Sequence, residues 1–305
     1  MEIVALLFRQ NIIMFLYLMI GWLLYKNKLL TSAGSGELGK MLLYVVMPVA
    51  IVRSYIQTFS SEMLTGFLIS FAAAAASLIL AMIVSTLVFR NRPSAVRQFG
   101  AAFSNAGFIG IPLVQMTLGD GAVFYVASFV AILNLLQWTY GVLIMTKDKS
   151  TISLNKLKTN PILIAFVIGM LLFFLPIQLP AALAGMVGTI ASMNGPLAMI
   201  VLGAYLAQVP FKDLFTDRDT YLCTAVRLLV IPVLTMLLLW LVPGKYLTIR
   251  MAVLLAASAP VGSNVAIFAQ IYHENYRNAV KDVCLSTLCS IITMPLILAL
   301  AGMLW

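Results

Sequence analysis

Charge is scarce in this chain. Only 10% of its 305 residues are Asp, Glu, Lys or Arg, while 62% are hydrophobic. Soluble domains carry about 25% charged residues. A water-soluble fold of this length could not hide so much apolar surface, so the bilayer must be its solvent. Histidine occurs once, as His273, at the edge of a span and with no paired Asp, which argues against the buried acid–base or metal cluster that catalysis inside a membrane needs. The three cysteines, Cys223, Cys284 and Cys289, contain no CxxC pair and are odd in number. That argues against a disulfide framework or a zinc site and leaves small apolar core residues. The ten acids are Glu2, Glu37, Glu62, Asp120, Asp148, Asp213, Asp217, Asp219, Glu274 and Asp282. All read as loop or span-end residues, Asp282 as interfacial, so no mid-membrane carboxylate stands out to couple protons. A cleavable leader is not expected either. Glu2 precedes any basic residue and Arg9-Gln10-Asn11 interrupts the early apolar run, so that run is expected to remain as a span.

What is present is a series of apolar runs. A span needs about 20 mostly apolar residues, and runs between charged or turn-rich breaks give ten: 4–25, 37–57, 63–89, 98–118, 122–145, 161–178, 182–207, 219–242, 250–272 and 280–304. Fourteen basic residues fall on one side: Lys26, Lys28, Lys40, Arg90, Arg92, Arg97, Lys147, Lys149, Lys156, Lys158, Lys212, Arg218, Arg277 and Lys281. Only Arg9, Arg53, Lys245 and Arg250 fall on the other, with Arg227 left inside the eighth span. The positive-inside rule makes the first side cytoplasmic and puts both termini outside the cytoplasm, across the cell (inner) membrane. The net charge of +9 is then this asymmetry, and no nucleic-acid partner is expected; the bilayer lipid is the surrounding partner.

The longest polar connection, 146–160, splits the chain into a first unit, 1–145, and a second, 161–305. Five spans per unit force opposite orientations, as in an inverted repeat. Ile20-Gly21-Trp22-Leu23-Leu24 resembles Ile168-Gly169-Met170-Leu171-Leu172, a shift of 148 that also carries Pro48 onto Pro196 and Pro112 onto Pro260.

Corresponding spans four and nine are interrupted by the same residue types, at Phe103-Ser104-Asn105-Ala106-Gly107-Phe108-Ile109-Gly110-Ile111-Pro112 and at Ser258-Ala259-Pro260-Val261-Gly262-Ser263-Asn264-Val265-Ala266. Bared peptide groups survive in a membrane only beside protein or a wet cavity. One such segment is explained by ordinary small-residue packing. Two, in matching spans, point to a substrate site where half-helices cross. Each second half-helix starts with unpaired N–H groups and a partial positive charge, suited to an anion. Gly107, Gly110 and Gly262 allow unusual angles and close approach, while Pro112 and Pro260 are expected to stop the helix. Ser104, Asn105, Ser263 and Asn264 can bond backbone or substrate. Asn134 and Gln137 share a face of the fifth span; such amides either bind neighbouring helices or line a solute path.

These segments resemble the auxin efflux carrier family, whose members include bacterial malonate and malate permeases and plant auxin carriers. Asn105-Ala106-Gly107-Phe108-Ile109-Gly110-Ile111-Pro112 is similar to the family's fourth-span signature. Pro260-Val261-Gly262 through Phe268-Ala269-Gln270-Ile271-Tyr272 is similar to the ninth, and Pro48 and Pro295 extend the likeness across nearly the whole chain. The resemblance implies an all-α integral membrane fold akin to bile-acid sodium symporters: ten transmembrane helices as two inverted five-helix repeats with crossed broken helices. Spans 1, 2, 6 and 7 would form a scaffold and homodimer surface. Spans 3–5 and 8–10 would form a transport domain moving as an elevator. It also implies that Asn105 contacts a substrate carboxylate and that Asn134 occupies the place of a substrate-facing glutamine. Val265 replaces the plant motif's second proline, and residues 63–89 lack the plant carriers' charged pair, so auxin is not implied.

The expected function is secondary transport of small organic anions, carboxylates such as malonate or malate, without a resident cofactor. Sodium, proton or no coupling is left open. The alternative is a cation/proton antiporter or a sodium-coupled symporter of another solute on the same fold. A membrane enzyme and a non-transporting scaffold fit less well, the first for want of a catalytic cluster and the second because it leaves Asn105 and Asn264 idle.

Overall fold

Long apolar runs with polar caps at their ends set the architecture. The computed structural model describes residues 2–57, 59–90, 94–175, 179–208 and 210–305. These form helices α1 (Glu2–Lys26), α2 (Ser32–Tyr55), α3 (Ser61–Phe89), α4 (Ala95–Ala102), α5 (Ala106–Leu118), α6 (Asp120–Thr146), α7 (Pro161–Phe173), α8 (Ala181–Ala207), α9 (Arg218–Leu239), α10 (Leu247–Ser258), α11 (Asn264–Ile271) and α12 (Tyr276–Leu304). No strand occurs among the described residues; the one β-bridge is isolated. Six of these helices are long and apolar enough to cross a bilayer, and a seventh span arises if Lys149–Lys158 and Pro161–Phe173, bent by 49°, are counted together. The protein is a multi-pass membrane protein. Residues 176–178, at the expected end of the sixth span, lie outside the described residues.

The helix starts are legible side-chain chemistry. Thr31, Ser60, Ser94, Asp217 and Asn275 each accept a backbone N–H of the first turn, and Asn160 Oδ1 accepts two, from Ile162 and Leu163. Such caps satisfy donors that a helix leaves open.

Packing pairs the helices in two matching sets. α1 lies on α8 as α7 lies on α2; α3 lies on α6 as α9 lies on α12. Likewise α4 contacts α3 and α12, while α10 contacts α9 and α6. The similar Ile-Gly runs serve matching contacts. A Cβ at Gly21 would fall 2.0 Å from the Ile200 carbonyl oxygen of α8, and one at Gly169 would fall 2.6 Å from the Tyr55 ring of α2. Gly203 answers Gly21 across the first contact, since its Cβ would lie 1.9 Å from the Leu18 carbonyl oxygen. Here backbone meets backbone, and no rotamer change relieves a clash. Gly203→Val is therefore expected to cost at least the ~1–3 kcal/mol typical of overpacking, read as a lower thermal midpoint of the purified protein in detergent.

Among the described residues, four π-helical turns interrupt otherwise α-helical runs: Leu42–Val46, Ala106–Gly110, Gln137–Gly141 and Val226–Val230. Three run straight into Met47-Pro48, Ile111-Pro112 and Ile231-Pro232. A proline removes one N–H and crowds the carbonyl four residues back, and the wider turn takes up both faults. This corrects the expectation that Pro112 stops the helix. The fourth span breaks earlier, at 103–105, and continues through Pro112.

Candidate functional site

The two chain breaks satisfy each other. Phe103 is extended, with φ −114° and ψ 115°, and Ser104 pairs with Val261 in an antiparallel bridge. The Asn105 N–H donates to the Pro260 carbonyl at 2.7 Å, and the Gly262 N–H donates to the Phe103 carbonyl at 3.0 Å. The Val261 N–H goes to Ser286 Oγ at 3.1 Å. Pro260 thus offers its carbonyl where no N–H is needed, which explains a proline at this point. A Cβ at Gly262 would lie 3.0 Å from the Ser104 carbonyl oxygen and 3.2 Å from that of Phe103. Glycine is what lets the two chains approach so closely.

A cavity of about 20 Å³ opens at this crossing. Seven candidate residues line it: Ser104, Asn105, Gly107, Asn134, Gly262, Ser263 and Asn264, with Leu43 and Met47 facing them from α2. Gln137 stands behind, its Oε1 accepting from Asn264 Nδ2 at 2.9 Å. Pro260 takes part through its carbonyl. Gly110 and Pro112 do not line the cavity. Gly110 gives α5 close packing on Ala256, and Pro112 lies against Gly195 of α8. Among the described residues, no Asp or Glu lines the cavity. Ser104 Oγ, Asn105 Nδ2 and Gln137 Nε2 are buried and find no hydrogen-bond partner among the described residues. A buried donor left unmatched costs about 1–3 kcal/mol. Donors from Ser104 and Asn105, beside the N-terminal ends of α5 and α11, make a setting for an oxyanion.

The opposite ends of the broken spans are closed by a residue that the sequence left unassigned. Arg227, 1% exposed, donates from Nη1 to the carbonyls of Ala101 at 3.0 Å and Ala102 at 3.3 Å, and from Nη2 to that of Ala257. One guanidinium joins the C-terminal ends of α4 and α10, where open carbonyls and the negative dipole ends favour a cation. The available signal was a lone arginine in an apolar span, which is a functional candidate by default. Asn194 was also missed. It sits at the joint of α8 and donates from Nδ2 to the Gly107 carbonyl at 3.2 Å. All four π turns adjoin this region: Leu43 and Gly107 line the cavity, Gln137 bonds Asn264, and Arg227 ties the helix ends.

Two charged residues near expected span ends are buried within the protein. Arg97 is not a loop residue but is buried in α4, with Nη2 on Asp217 and Nη1 3.3 Å from Asp219 Oδ2. Asp282, read as interfacial, is fully buried in the protein, 4.0 Å from Arg97 Nε. A carboxylate therefore does lie within the helical body, one turn of α12 before Ser286, which holds the crossing. Hydropathy placed both near a membrane surface. Burial followed because α4, α9 and α12 pack their N-terminal turns together, which a linear charge count does not register.

Two larger cavities are present, of which one adjoins the crossing. One, of about 960 Å³, lies among α2, α5, α6 and α8 and holds Arg53, Gln57, Gln115 and Asp120. Arg53 Nη2 is 3.4 Å from Asp120 Oδ2 across it. The other, of about 240 Å³, shares Leu43, Asn134 and Asn264 with the crossing and is also lined by Trp138, Lys156 and Asn160. The 960 Å³ cavity shares no lining residue with the crossing.

A family model described as "Membrane transport protein" matches residues 6–298. Among relatives, a protein of Rhizobium meliloti (strain 1021) named "Putative malonate transporter" is 25% identical over 274 residues, covering 85% of this chain and 84% of that protein.

Proposed function

Because the chain belongs to the membrane transport protein family, the auxin efflux carrier family, we propose that it is a secondary transporter of small organic anions, binding a substrate carboxylate where the fourth and ninth spans cross. The observation that carries this reading is the set of unmatched buried donors, Ser104 Oγ and Asn105 Nδ2, in a cavity whose described lining holds no acid. Asn134, Gln137, Pro260, Gly262, Ser263 and Asn264 build the walls and fix the backbone of that site. The name of the Rhizobium relative makes malonate the first substrate to try.

In this reading the two matching helix sets are inverted five-helix repeats, 1–145 and 161–305, joined by a cytoplasmic linker at 146–160. The shared glycine contacts of α1 with α8 and α7 with α2 support a scaffold made of those four helices, which also suit a homodimer surface. The remaining helices, held together by the crossing, Arg227 and the Arg97 cluster, suit a body that moves as one, as an elevator requires. Fourteen basic residues against four support placing the termini outside the cytoplasm of the cell (inner) membrane.

Counterflow in proteoliposomes tests the substrate class. Liposomes preloaded with malonate are expected to accumulate labelled malonate, with malate and other small carboxylates competing. Asn105→Ala is expected to slow this by about ten- to a hundredfold, since a hydrogen bond to a charged group is worth about 1.5–3 kcal/mol. Failure of every carboxylate to exchange, with cations instead collapsing an imposed pH gradient, would establish the antiporter.

A further inference from the structure

The crossing has room for about 20 Å³, roughly the space of one water-sized group. One carboxylate oxygen fits there; the rest of a dicarboxylate does not. The way out of that space passes Leu43, Asn134 and Asn264 into the adjoining cavity of about 240 Å³. We propose that this adjoining cavity is a second anion subsite, in which Lys156 binds the distal carboxylate of a dicarboxylate substrate. This rests on the carboxylate reading above and extends it from organic anions in general to short dicarboxylates.

Among the described residues, Lys156 is the only charged one lining that cavity, and no carboxylate among them lies within salt-bridge distance of it. Its Nζ is 5.7 Å from the Trp138 ring centroid and 5.6 Å from that of Tyr272. Two aromatic faces hold an ammonium in place, yet neither accepts its N–H bonds as a carboxylate would, so the cation keeps donors to offer. The helical turn carrying it is capped by Ser153, whose Oγ accepts the Lys156 N–H at 3.4 Å. Trp138 follows Gln137 in the same π turn of α6, and Tyr272 ends α11, which begins at Asn264. The two rings that position the ammonium therefore belong to the elements that line the crossing. A ligand reaching from Asn105 to Lys156 is held at one end by the crossing and at the other by a linker ammonium positioned by two rings from the crossing's own elements.

The test compares malonate with malonamate, its half-amide, in counterflow by wild type, Lys156→Gln and Lys156→Arg. Malonamate keeps the size and one carboxylate but lacks the second charge. Lys156→Gln is expected to raise the half-saturating malonate concentration at least tenfold and that of malonamate less than twofold. Lys156→Arg should keep most of the preference for malonate. Lys156 is exposed on the linker, so an unchanged thermal midpoint should accompany the loss. A wild-type protein that moves both compounds equally, or a Lys156→Gln variant that keeps the wild-type preference, overturns the subsite while leaving the crossing intact. Failure of wild type to move either compound overturns the carboxylate reading itself, and the subsite with it.

Discussion

Replacing Arg227 with alanine is expected to abolish transport and to lower the thermal midpoint of the detergent-purified protein more than Gly203→Val or the loss of any single donor at the crossing. The side chain is the common partner of the Ala101, Ala102 and Ala257 carbonyls. Each would be left as a buried, unmatched acceptor at a cost of about 1–3 kcal/mol, so a total of about 5 kcal/mol is the right order. The damage is also directional. α4 and α10 would lose the group that ties their C-terminal ends together, and the breaks held by Asn105, Pro260 and Gly262 would lose their support from behind. Lysine keeps the charge but not the planar fork that reaches several carbonyls at once. Arg227→Lys should therefore fall between wild type and Arg227→Ala in both stability and transport. Equal stability of all three proteins would remove Arg227 from this role.

Arg97→Ala is expected to have the next largest effect, for a different reason. Asp282 is fully buried and Arg97 is the cation that faces it, at 4.0 Å. Removing one partner of a buried pair typically costs about 3–5 kcal/mol, because the other charge is left stranded. Asp282→Ala should be milder, since Arg97 keeps Asp217 and Asp219. The double variant Arg97→Ala/Asp282→Ala is accordingly expected to be more stable than Arg97→Ala alone. Thermal unfolding of the four proteins gives the cycle directly. A double variant that is the sum of two independent losses would mean that the 4.0 Å approach carries no coupling energy.

Much of the fold was readable from the chain. Apolar runs pointed to a multi-pass membrane protein because a bilayer demands length and apolarity at once, and six or seven spans of the required length are present among the described residues. The glycine and proline clusters located both breaks because few residues tolerate what a break requires. Seven of the eleven residues singled out from sequence do line the crossing. Gly110 and Pro112 do not, since a π turn lets the helix run through the proline, and a π turn has no signature as plain as the proline itself. Arg227, Asn194 and Ser286 escaped because their partners lie 30 residues or more away for Arg227, 87 for Asn194 and 25 for Ser286. A single polar residue in an apolar run shows that it needs a partner, but not which carbonyl supplies it. Asp282 and Arg97 misled for the same reason: proximity to a span end reads as exposure until three helix ends pack over it.

The most direct test of the crossing as a carboxylate site is equilibrium binding of labelled malonate to the purified protein. Wild type is predicted to bind saturably, with unlabelled malonate competing. Ser104→Ala and Asn105→Ala, each removing one unmatched donor, are predicted to bind at least tenfold more weakly while keeping a ligand-free thermal midpoint at or above that of wild type. Binding of undiminished affinity in both variants would contradict a carboxylate site at the crossing and place the anion elsewhere in the protein.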